Sequence, residues 1–244
     1  VFYLYNGNVP VRDESFDWTR PVDGSEPGAL WKGYHEIDEL PQLLNPGAGY
    51  LQNANSSPFV TTHADNPDPA DYPRYMTSLE NGDTYRAQRS RQLLRAASSV
   101  TLDDLQSMVT DTHLYAADAW LPRLFAEWDS LAAGDPRRER LREPIAALKA
   151  WDRESGAASV ETTLFVLWDE AYWLRERDGQ RFPLIASLDE AVDVLEREFG
   201  TWRVPWRDVF RHQRRADGDA VSWDENRPSH PTSANHGRYG VMFH

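Results

Sequence analysis

The feature that most constrains the fold is a change of pattern near Thr84. Residues 1–62 are rich in Gly, Pro and Asn and contain only short apolar runs. From about residue 84 onwards, apolar residues recur every three or four positions, a spacing typical of helices that bury one face. The sequence therefore predicts an α+β chain of four parts: a strand and loop segment at 1–62, a polar loop at 63–83, a helical subdomain at 84–214, and a loop and strand return at 215–244.

Local patterns refine this organisation. Short β-type runs occupy 1–5, 9–12 and 49–53, and Asn6-Gly7-Asn8 predicts a hairpin turn between the first two. Pro122 lies inside one predicted helix and is expected to split it, because proline removes a helix hydrogen bond. Helices are expected at 85–97, 101–111, 113–131, after Pro136 to Trp151, and at 159–175, 188–198 and 204–214.

Composition excludes several classes of function. The formal net charge is −13, which argues against a nucleic-acid-binding surface. The sequence has no apolar run of about 18 residues, so no membrane span is predicted. It has no cysteine, which excludes disulfides, thiolate metal ligands and cysteine nucleophiles.

Two asparagines form the most informative candidate site. Asn53 and Asn55 follow a short predicted strand and precede a Ser-Ser-Pro turn, and in extended backbone residues two apart face the same side. A side-chain amide held in this way is a preorganised donor of the kind that stabilises the oxyanion of an acyl transfer. Asparagine side chains also tie down turns routinely, so the spacing alone leaves both interpretations open.

A longer run of motifs favours the first interpretation. They are Trp31-x-Gly33, Leu40-Pro41, Asn45-Pro46, Gly49-Tyr50 and Asn53-x-Asn55-x-Ser57-Pro58. Their order resembles the β-subunit of the penicillin acylase family, which belongs to the N-terminal-nucleophile hydrolases. The resemblance implies a fragment of a four-layer αββα fold, with Asn55 as the oxyanion donor and Asn53 as a supporting residue.

The resemblance also assigns an arginine and one edge of the substrate site. Arg86, followed by Leu93-Leu94, matches a family arginine that begins a helix and orders the active site, with Arg89 as the fallback in a shifted register. By their position after Asp71-Tyr72-Pro73, three residues are expected to line an acyl pocket: Tyr75, Met76 and Leu79. Some family members hold calcium with an aspartate whose place falls here near Met76, where no acidic residue stands. Calcium is therefore possible in the parent protein but is not supported by this segment, and no other cofactor is expected.

The family's nucleophile is a Ser, Thr or Cys that autocatalytic cleavage exposes, with its own α-amino group as the base. The chain begins with Val1, and Ser15 does not fit the motif. The nucleophile is therefore expected upstream, the segment alone is expected to be inactive, and both ends are expected to be cut from a longer precursor. The implied partners are the other α- and β-subunit parts and an acyl amide substrate. That substrate is a β-lactam antibiotic, an acyl-homoserine lactone or a lipopeptide, and the implied compartment is the bacterial periplasm or the medium.

Three other features of the sequence allow alternative interpretations. A loop with His63, Asp65, Asp68 and Asp71 could hold Ca²⁺ but is more simply a solvated loop. Asp169 and Glu170 lie in an apolar predicted helix, where they could be a catalytic acid pair or have a capping or salt-bridge role. Four histidines have spacings that match no tight zinc pattern: His212, His230, His236 and His244.

Two functions of other classes remain open at this level. Because this chain carries neither nucleophile nor base, it could be a non-enzymatic helical binding or scaffold module. Its 10 tryptophans also allow a glycan-active protein.

Overall fold

The computed structural model describes residues 1–5, 7–77, 82–177, 182–213, 223–224 and 226–242. It divides into two compact units, Val1–Met108 and Val109–His244. The described part of the chain is mixed α and β, with short strands and longer helices. Helices α2 and most of α3 belong to the first unit and the remaining longer helices to the second.

The first unit has little regular structure. Strands β1 (Phe2–Leu4) and β2 (Gln42–Leu44) form an antiparallel ribbon in which Phe2 lies opposite Leu44. Four 3₁₀ turns lie at Pro27–Ala29, Ile37–Glu39, Pro58–Val60 and Pro69–Asp71, and the helices are α1 (Arg74–Thr77), α2 (Tyr85–Ala96) and α3 (Leu102–Val109). Its apolar cluster is small: Leu40, Tyr75 and Met76 are buried, with Leu4, Val9, Trp18 and Tyr72 packed against them.

The predicted hairpin between residues 1–5 and 9–12 is wrong. Strand β1 pairs with β2, whereas the Val11 N–H donates to the Gly33 carbonyl and the His35 N–H to the Val9 carbonyl. Two local features explain the difference. Val9 donates to the carbonyl of Gly7, which closes a tight local turn, and Pro10 has no N–H to offer to a neighbouring strand. Asn6 itself lies outside the described residues. Residues 49–53, which were expected to form a strand, have irregular backbone structure.

The second unit is a helical bundle. Helix α7 packs along α8, α4 also packs on α8, and α6 packs on α7. Its core consists of apolar side chains with almost no exposure, among them Leu121, Leu124, Leu164, Phe165, Trp168, Ile185, Leu188 and Leu195. The elements are α4 (Tyr115–Ser130), α5 (Arg137–Arg140), α6 (Arg142–Ala150), α7 (Val160–Arg177), α8 (Leu184–Phe199), α9 (Trp206–Val209), β3 (Arg211–His212), β4 (His230–Pro231) and a 3₁₀ turn at Gly237–Tyr239.

Helix α4 continues through Pro122, so the predicted break is wrong. An interior proline costs about 3 kcal/mol, because it removes a hydrogen bond and crowds the preceding turn. Leu121 and Leu124 on the same helix are fully buried. Burying a leucine contributes roughly 1.5–3 kcal/mol, so the two together offset the cost of the proline.

The ends of α8 are fixed by one distant side chain and one glycine. The N-cap residue, Pro183, supplies no side-chain cap. Instead the Glu127 carboxylate of α4 accepts hydrogen bonds from the backbone N–H groups of Leu184 (3.0 Å) and Ile185 (3.1 Å). At the other end Gly200 has φ +75°, a left-handed conformation that glycine adopts without strain.

Among the helices in the described ranges, none combines the length and the apolar character that crossing a bilayer requires.

We expect Glu127→Ala to lower the free energy of unfolding by about 1–2 kcal/mol, because two helix N–H groups lose an anionic acceptor near the helix dipole. Denaturant unfolding followed by helical circular dichroism measures the change. Asp129→Ala is the matched control, since Asp129 lies on the same helix but makes only an exposed 3.5 Å pair with Lys149. Equal effects of the two substitutions would contradict the capping role.

Candidate functional site

The two candidate asparagines lie on one loop and share its exposed side. Asn53 and Asn55 are exposed, whereas Gln52, Ala54 and Ser56 are buried. Exposure alternates along these residues, although the backbone at Asn55 is left-handed and not the extended strand on which the prediction rested. Both carboxamides therefore lie on the accessible side of the loop.

Asn55 has an uncommon backbone conformation. Its φ is +56°, in the left-handed region that asparagine tolerates better than most residues. Its backbone N–H donates to Oδ1 of Asn53 at 2.9 Å. The side chain of Asn53 therefore closes the turn in which Asn55 lies.

The side chain of Asn55 is oriented by an arginine. Nη2 of Arg86 donates to Oδ1 of Asn55. A guanidinium can only donate and an amide oxygen can only accept, so this contact fixes which end of the carboxamide faces Arg86. The Nδ2 group, with its two N–H donors, is turned to the other side of an exposed residue. Arg89, the fallback, instead donates to Gln92 at 2.7 Å within its own helix.

Arg86 occupies a place that helix stability alone would not favour. It lies in the first turn of α2, where the N-cap side chain of Thr84 accepts from the Ala87 N–H. That turn contains no acidic residue. A cation near a helix N-terminus opposes the positive end of the helix dipole, so its placement is better explained by its contact with Asn55.

The start of α2 and the asparagine loop are joined by further hydrogen bonds. The Thr84 hydroxyl donates to the carbonyl of Ala54 at 3.0 Å. The Ser57 N–H donates to the carbonyl of Gly82 at 2.9 Å. The segment that leads into α2, from Gly82 to the N-cap Thr84, is thus bonded to the loop on both sides of Asn55.

The three residues predicted to line an acyl pocket have different surroundings. Tyr75 borders a shallow pocket whose other lining residues are Glu14, Phe16, Asp17, Trp18 and Arg74. Met76 is 2% exposed and packs in the apolar cluster of the first unit. Leu79 lies outside the described residues.

A hydrogen-bonded network surrounds Tyr75, and it was not predicted from the sequence. Its hydroxyl lies 2.6 Å from Nε2 of His35, and Nδ1 of His35 lies 3.0 Å from Oε2 of Glu39. Hydrogen bonds from the Glu36 N–H and from His35 lower the pKa of Glu39. A carboxylate at Glu39 can only accept, so Nδ1 of His35 is the donor in that contact. In a neutral imidazole Nε2 then accepts from the tyrosine hydroxyl. The four-residue spacing of His35 and Glu39 was the available signal, but Tyr75 lies too far along the chain to be linked to it by pattern.

The candidate metal ligands are engaged in other contacts. Within the ranges that the structure describes, no group of three or more His, Asp or Glu side chains is placed to hold a metal ion. His63 Nδ1 lies 2.9 Å from the Tyr50 hydroxyl, and Asp68 caps a 3₁₀ turn through the Ala70 N–H. His212 lies opposite His230 in the β3–β4 pair, and His236 accepts from the Arg238 N–H. His244 lies outside the described residues.

Asp169 and Glu170 of α7 both form ion pairs with Arg238. Nη2 of Arg238 donates to Oδ2 of Asp169, and the Tyr239 hydroxyl donates to Glu170 at 3.2 Å. Asp169 is 4% exposed. Burial outweighs the nearby Arg238 charge and raises the pKa of Asp169 to about 6. These contacts favour the ion-pair interpretation over a catalytic one.

We expect the stability of the second unit to fall as the pH rises from 4 to above 6. The folded state holds the Asp169 proton with a pKa of about 6, above the ordinary value of 3.8, so it binds more protons than the unfolded chain in this range. The stabilisation is complete below the ordinary value and is lost as the pH passes the folded value, with an amplitude of about 3 kcal/mol.

Denaturant unfolding at a series of pH values tests this. Asp169→Asn should flatten the slope between pH 4 and 6, and Asp208→Asn, at an exposed residue of the same unit, should leave it unchanged. A slope that persists in Asp169→Asn would assign the effect to another group.

A family profile and several curated proteins match this chain. The family profile described as penicillin amidase matches residues 1–239. Penicillin G acylase of Escherichia coli is 28% identical over 155 residues, which is 62% of this chain and 16% of that protein. The acyl-homoserine lactone acylase PvdQ of Pseudomonas fluorescens is 30% identical over 134 residues, or 54% of this chain and 16% of that protein.

A third relative, the penicillin acylase 2 proenzyme of a Pseudomonas species, is 25% identical over 162 residues, or 65% of this chain and 18% of that protein. The chain therefore spans less than a fifth of the length of each of these relatives. The family profile nevertheless extends over nearly all of its residues and confirms the resemblance seen in the sequence. The chain belongs to the penicillin amidase family.

Proposed function

We propose that the protein containing this chain is an amide hydrolase, and that Asn55 donates a hydrogen bond to the oxyanion formed during acyl transfer. The observation that carries this proposal is the hydrogen bond from Arg86 to Oδ1 of Asn55, which leaves the Nδ2 donors on the open side of the loop. The names of the relatives, two penicillin acylases and an acyl-homoserine lactone acylase, support the reaction class.

The chemistry follows from the fixed direction of the carboxamide. Attack on an amide carbonyl turns its oxygen into an oxyanion, and a donor already in place stabilises that charge without reorganisation. Arg86 adds to this effect because a cation on the oxygen end polarises the amide and strengthens donation from Nδ2. Asn53 contributes indirectly, since its side chain holds the turn in which Asn55 lies.

The remaining parts of the proposal concern the whole protein. Its substrate is an acylated β-lactam antibiotic, an acyl-homoserine lactone or a lipopeptide, with Tyr75, Met76 and Leu79 at one edge of the acyl pocket. None of the serines of this chain is assigned as the nucleophile, which we place elsewhere in a four-layer αββα hydrolase. We further propose processing from a precursor in the periplasm or the medium of a bacterium, for which the word proenzyme in one relative's name is support. No metal or other cofactor is assigned to this segment.

Substitutions at Asn55 test the oxyanion role in the complete polypeptide. Asn55→Ala should lower kcat by roughly 10²–10³-fold, because one oxyanion donor is lost. Asn55→Gly should lower it as much, although glycine suits the φ of +56° better than alanine. Asn55→Asp should be at least as impaired, since it keeps the shape and the Arg86 contact but places an oxygen where the donor was. Initial rates on the three substrate classes provide the measurement.

The series of Asn55 variants distinguishes the effect of backbone strain from the loss of the hydrogen-bond donor. If Asn55→Gly retains activity while Asn55→Ala does not, the loss reflects backbone strain and the oxyanion assignment is incorrect. A wild-type protein that hydrolyses none of the three substrate classes would instead favour the non-enzymatic binding module.

A second pair of substitutions tests the role of Arg86. Arg86→Ala should reduce kcat by about tenfold or more, because the carboxamide loses a charge-assisted hydrogen bond that orients it. Arg89→Ala is the matched control, since Arg89 lies in the same helix and bonds to Gln92. The assignment would be reversed if Arg89→Ala proved the more damaging change.

A further inference from the structure

A second arginine of α2 reaches the asparagine loop at its base. The Arg91 side chain is only 15% exposed. Its Nη1 donates to the carbonyl of Val60 at 2.9 Å, and its Nη2 donates to Oδ2 of Asp83 at 2.6 Å. Asp83 immediately precedes the N-cap of α2. The guanidinium therefore connects the end of the loop to the start of the helix that carries Arg86.

The opposite side of the loop base is held by Gln52. Its backbone N–H donates to the carbonyl of Thr61 at 3.1 Å, which closes the loop. Its Nε2 donates to the carbonyl of Val60 at 2.8 Å, the same oxygen that accepts from Arg91. A carbonyl oxygen has two lone pairs and can accept both bonds. We call the set of Arg91, Gln52 and the Val60 carbonyl the base clamp.

The surroundings of the base clamp are polar, so hydrogen bonds must supply its rigidity. Four loop residues with hydroxyl groups are buried next to it: Ser56, Ser57, Thr61 and Thr62. The apolar cluster of the first unit does not include any of them. A satisfied polar network can fix a unique geometry, whereas a broken one loses it.

Gln52 itself is a costly choice for this position. It is 7% exposed, and among the described residues its Oε1 is buried without a hydrogen-bond donor. An apolar side chain of similar shape would avoid the cost of an unsatisfied acceptor. A glutamine at this place is explained if its Nε2 contact with Val60 is what the loop needs.

On these grounds we propose that Arg91 and Gln52 are positioning residues for Asn55. Arg86 holds the exposed tip of the loop, and the base clamp holds its two ends, so that the carboxamide of Asn55 keeps the direction set by Arg86. This inference rests on the proposed function of Asn55 as the oxyanion donor. Arg91 acts through the loop and has no contact of its own with the reacting atoms in this scheme.

Kinetics of the complete polypeptide test the positioning role. Arg91→Ala should lower kcat by roughly 10- to 100-fold with little change in KM, because a small misplacement of a catalytic group is costly while substrate binding is kept. Arg91→Lys should recover only part of the loss, since an ammonium keeps the charge but cannot span Val60 and Asp83 with a planar fork. Arg95→Ala is the control, at an exposed residue one turn further along α2, and should remain close to wild type.

Hydrogen exchange provides a readout that does not depend on activity. Arg91→Ala should accelerate exchange of the Asn55 and Ser57 amides, both of which belong to the clamped loop and are hydrogen-bonded, and Arg95→Ala should not. A double-mutant cycle with Gln52→Met adds a second test. Because both side chains bond to one carbonyl, the effect on kcat of the double substitution should be smaller than the product of the single effects.

The outcomes are decisive in each direction. Faster exchange together with a lower kcat supports the proposal. Faster exchange with an unchanged kcat would show that the clamp stabilises the loop without positioning Asn55, and it would overturn the positioning role. Complete rescue of kcat by Arg91→Lys would also overturn it, because the positive charge alone would then explain the effect of Arg91. Unchanged exchange overturns the clamp itself. If the wild-type protein has no acyl hydrolase activity, the proposed function fails, and the exchange measurement alone then decides whether the clamp exists.

Discussion

The charge-assisted hydrogen bond from Arg86 to Asn55 is the contact on which the candidate site depends. It gives a direction to a group that otherwise could face either way, because a carboxamide presents an acceptor at one end and donors at the other. The contacts around it maintain that direction. Asn53 closes the turn, Thr84 bonds to Ala54, and α2 brings its first turn to the loop. The sequence thus determines the turn, the turn and its hydrogen bonds orient the side chain of Asn55, and that orientation underlies the proposed chemistry.

Different interactions stabilise the two compact units. The second unit has long helices whose leucines, phenylalanine and tryptophan are removed from water, so apolar burial dominates its stability. The first unit has a small apolar cluster, and its loops depend on hydrogen bonds between side chains and backbone. Such bonds contribute little net stability individually but specify geometry closely. A segment that presents functional groups from loops benefits from this arrangement.

The sequence predicted some of these features well, for identifiable reasons. Helix α4 follows from the three-and-four spacing of its apolar residues, which is a local signal. Asn55 and Arg86 were identified from their place in a motif order, and the structure brings the two side chains together. The hairpin failed because the Gly7 turn and Pro10 direct the chain away from β1. The break at Pro122 failed because the buried leucines of α4 outweigh the cost of the proline.

The contacts that could not be predicted join residues distant in the chain. Tyr75 meets His35, Glu127 caps α8, and Arg91 meets Val60, each across a separation that carries no periodic signal. Arg91 in particular reads in the sequence as one of several basic residues on a helix surface. Only the folded loop distinguishes it from its neighbour Arg95, because specificity here arises from which carbonyl lies within reach.

Two separate requirements restrict which residue types can occupy position 55, and the first is its left-handed backbone. The fold admits the few residue types that accept a positive φ, chiefly glycine, asparagine and aspartate. The proposed chemistry admits only side chains that end in a neutral donor of the right reach. Asparagine meets both requirements. A library that randomises this position would therefore yield different sets of residue types under selection for folding and under selection for catalytic turnover.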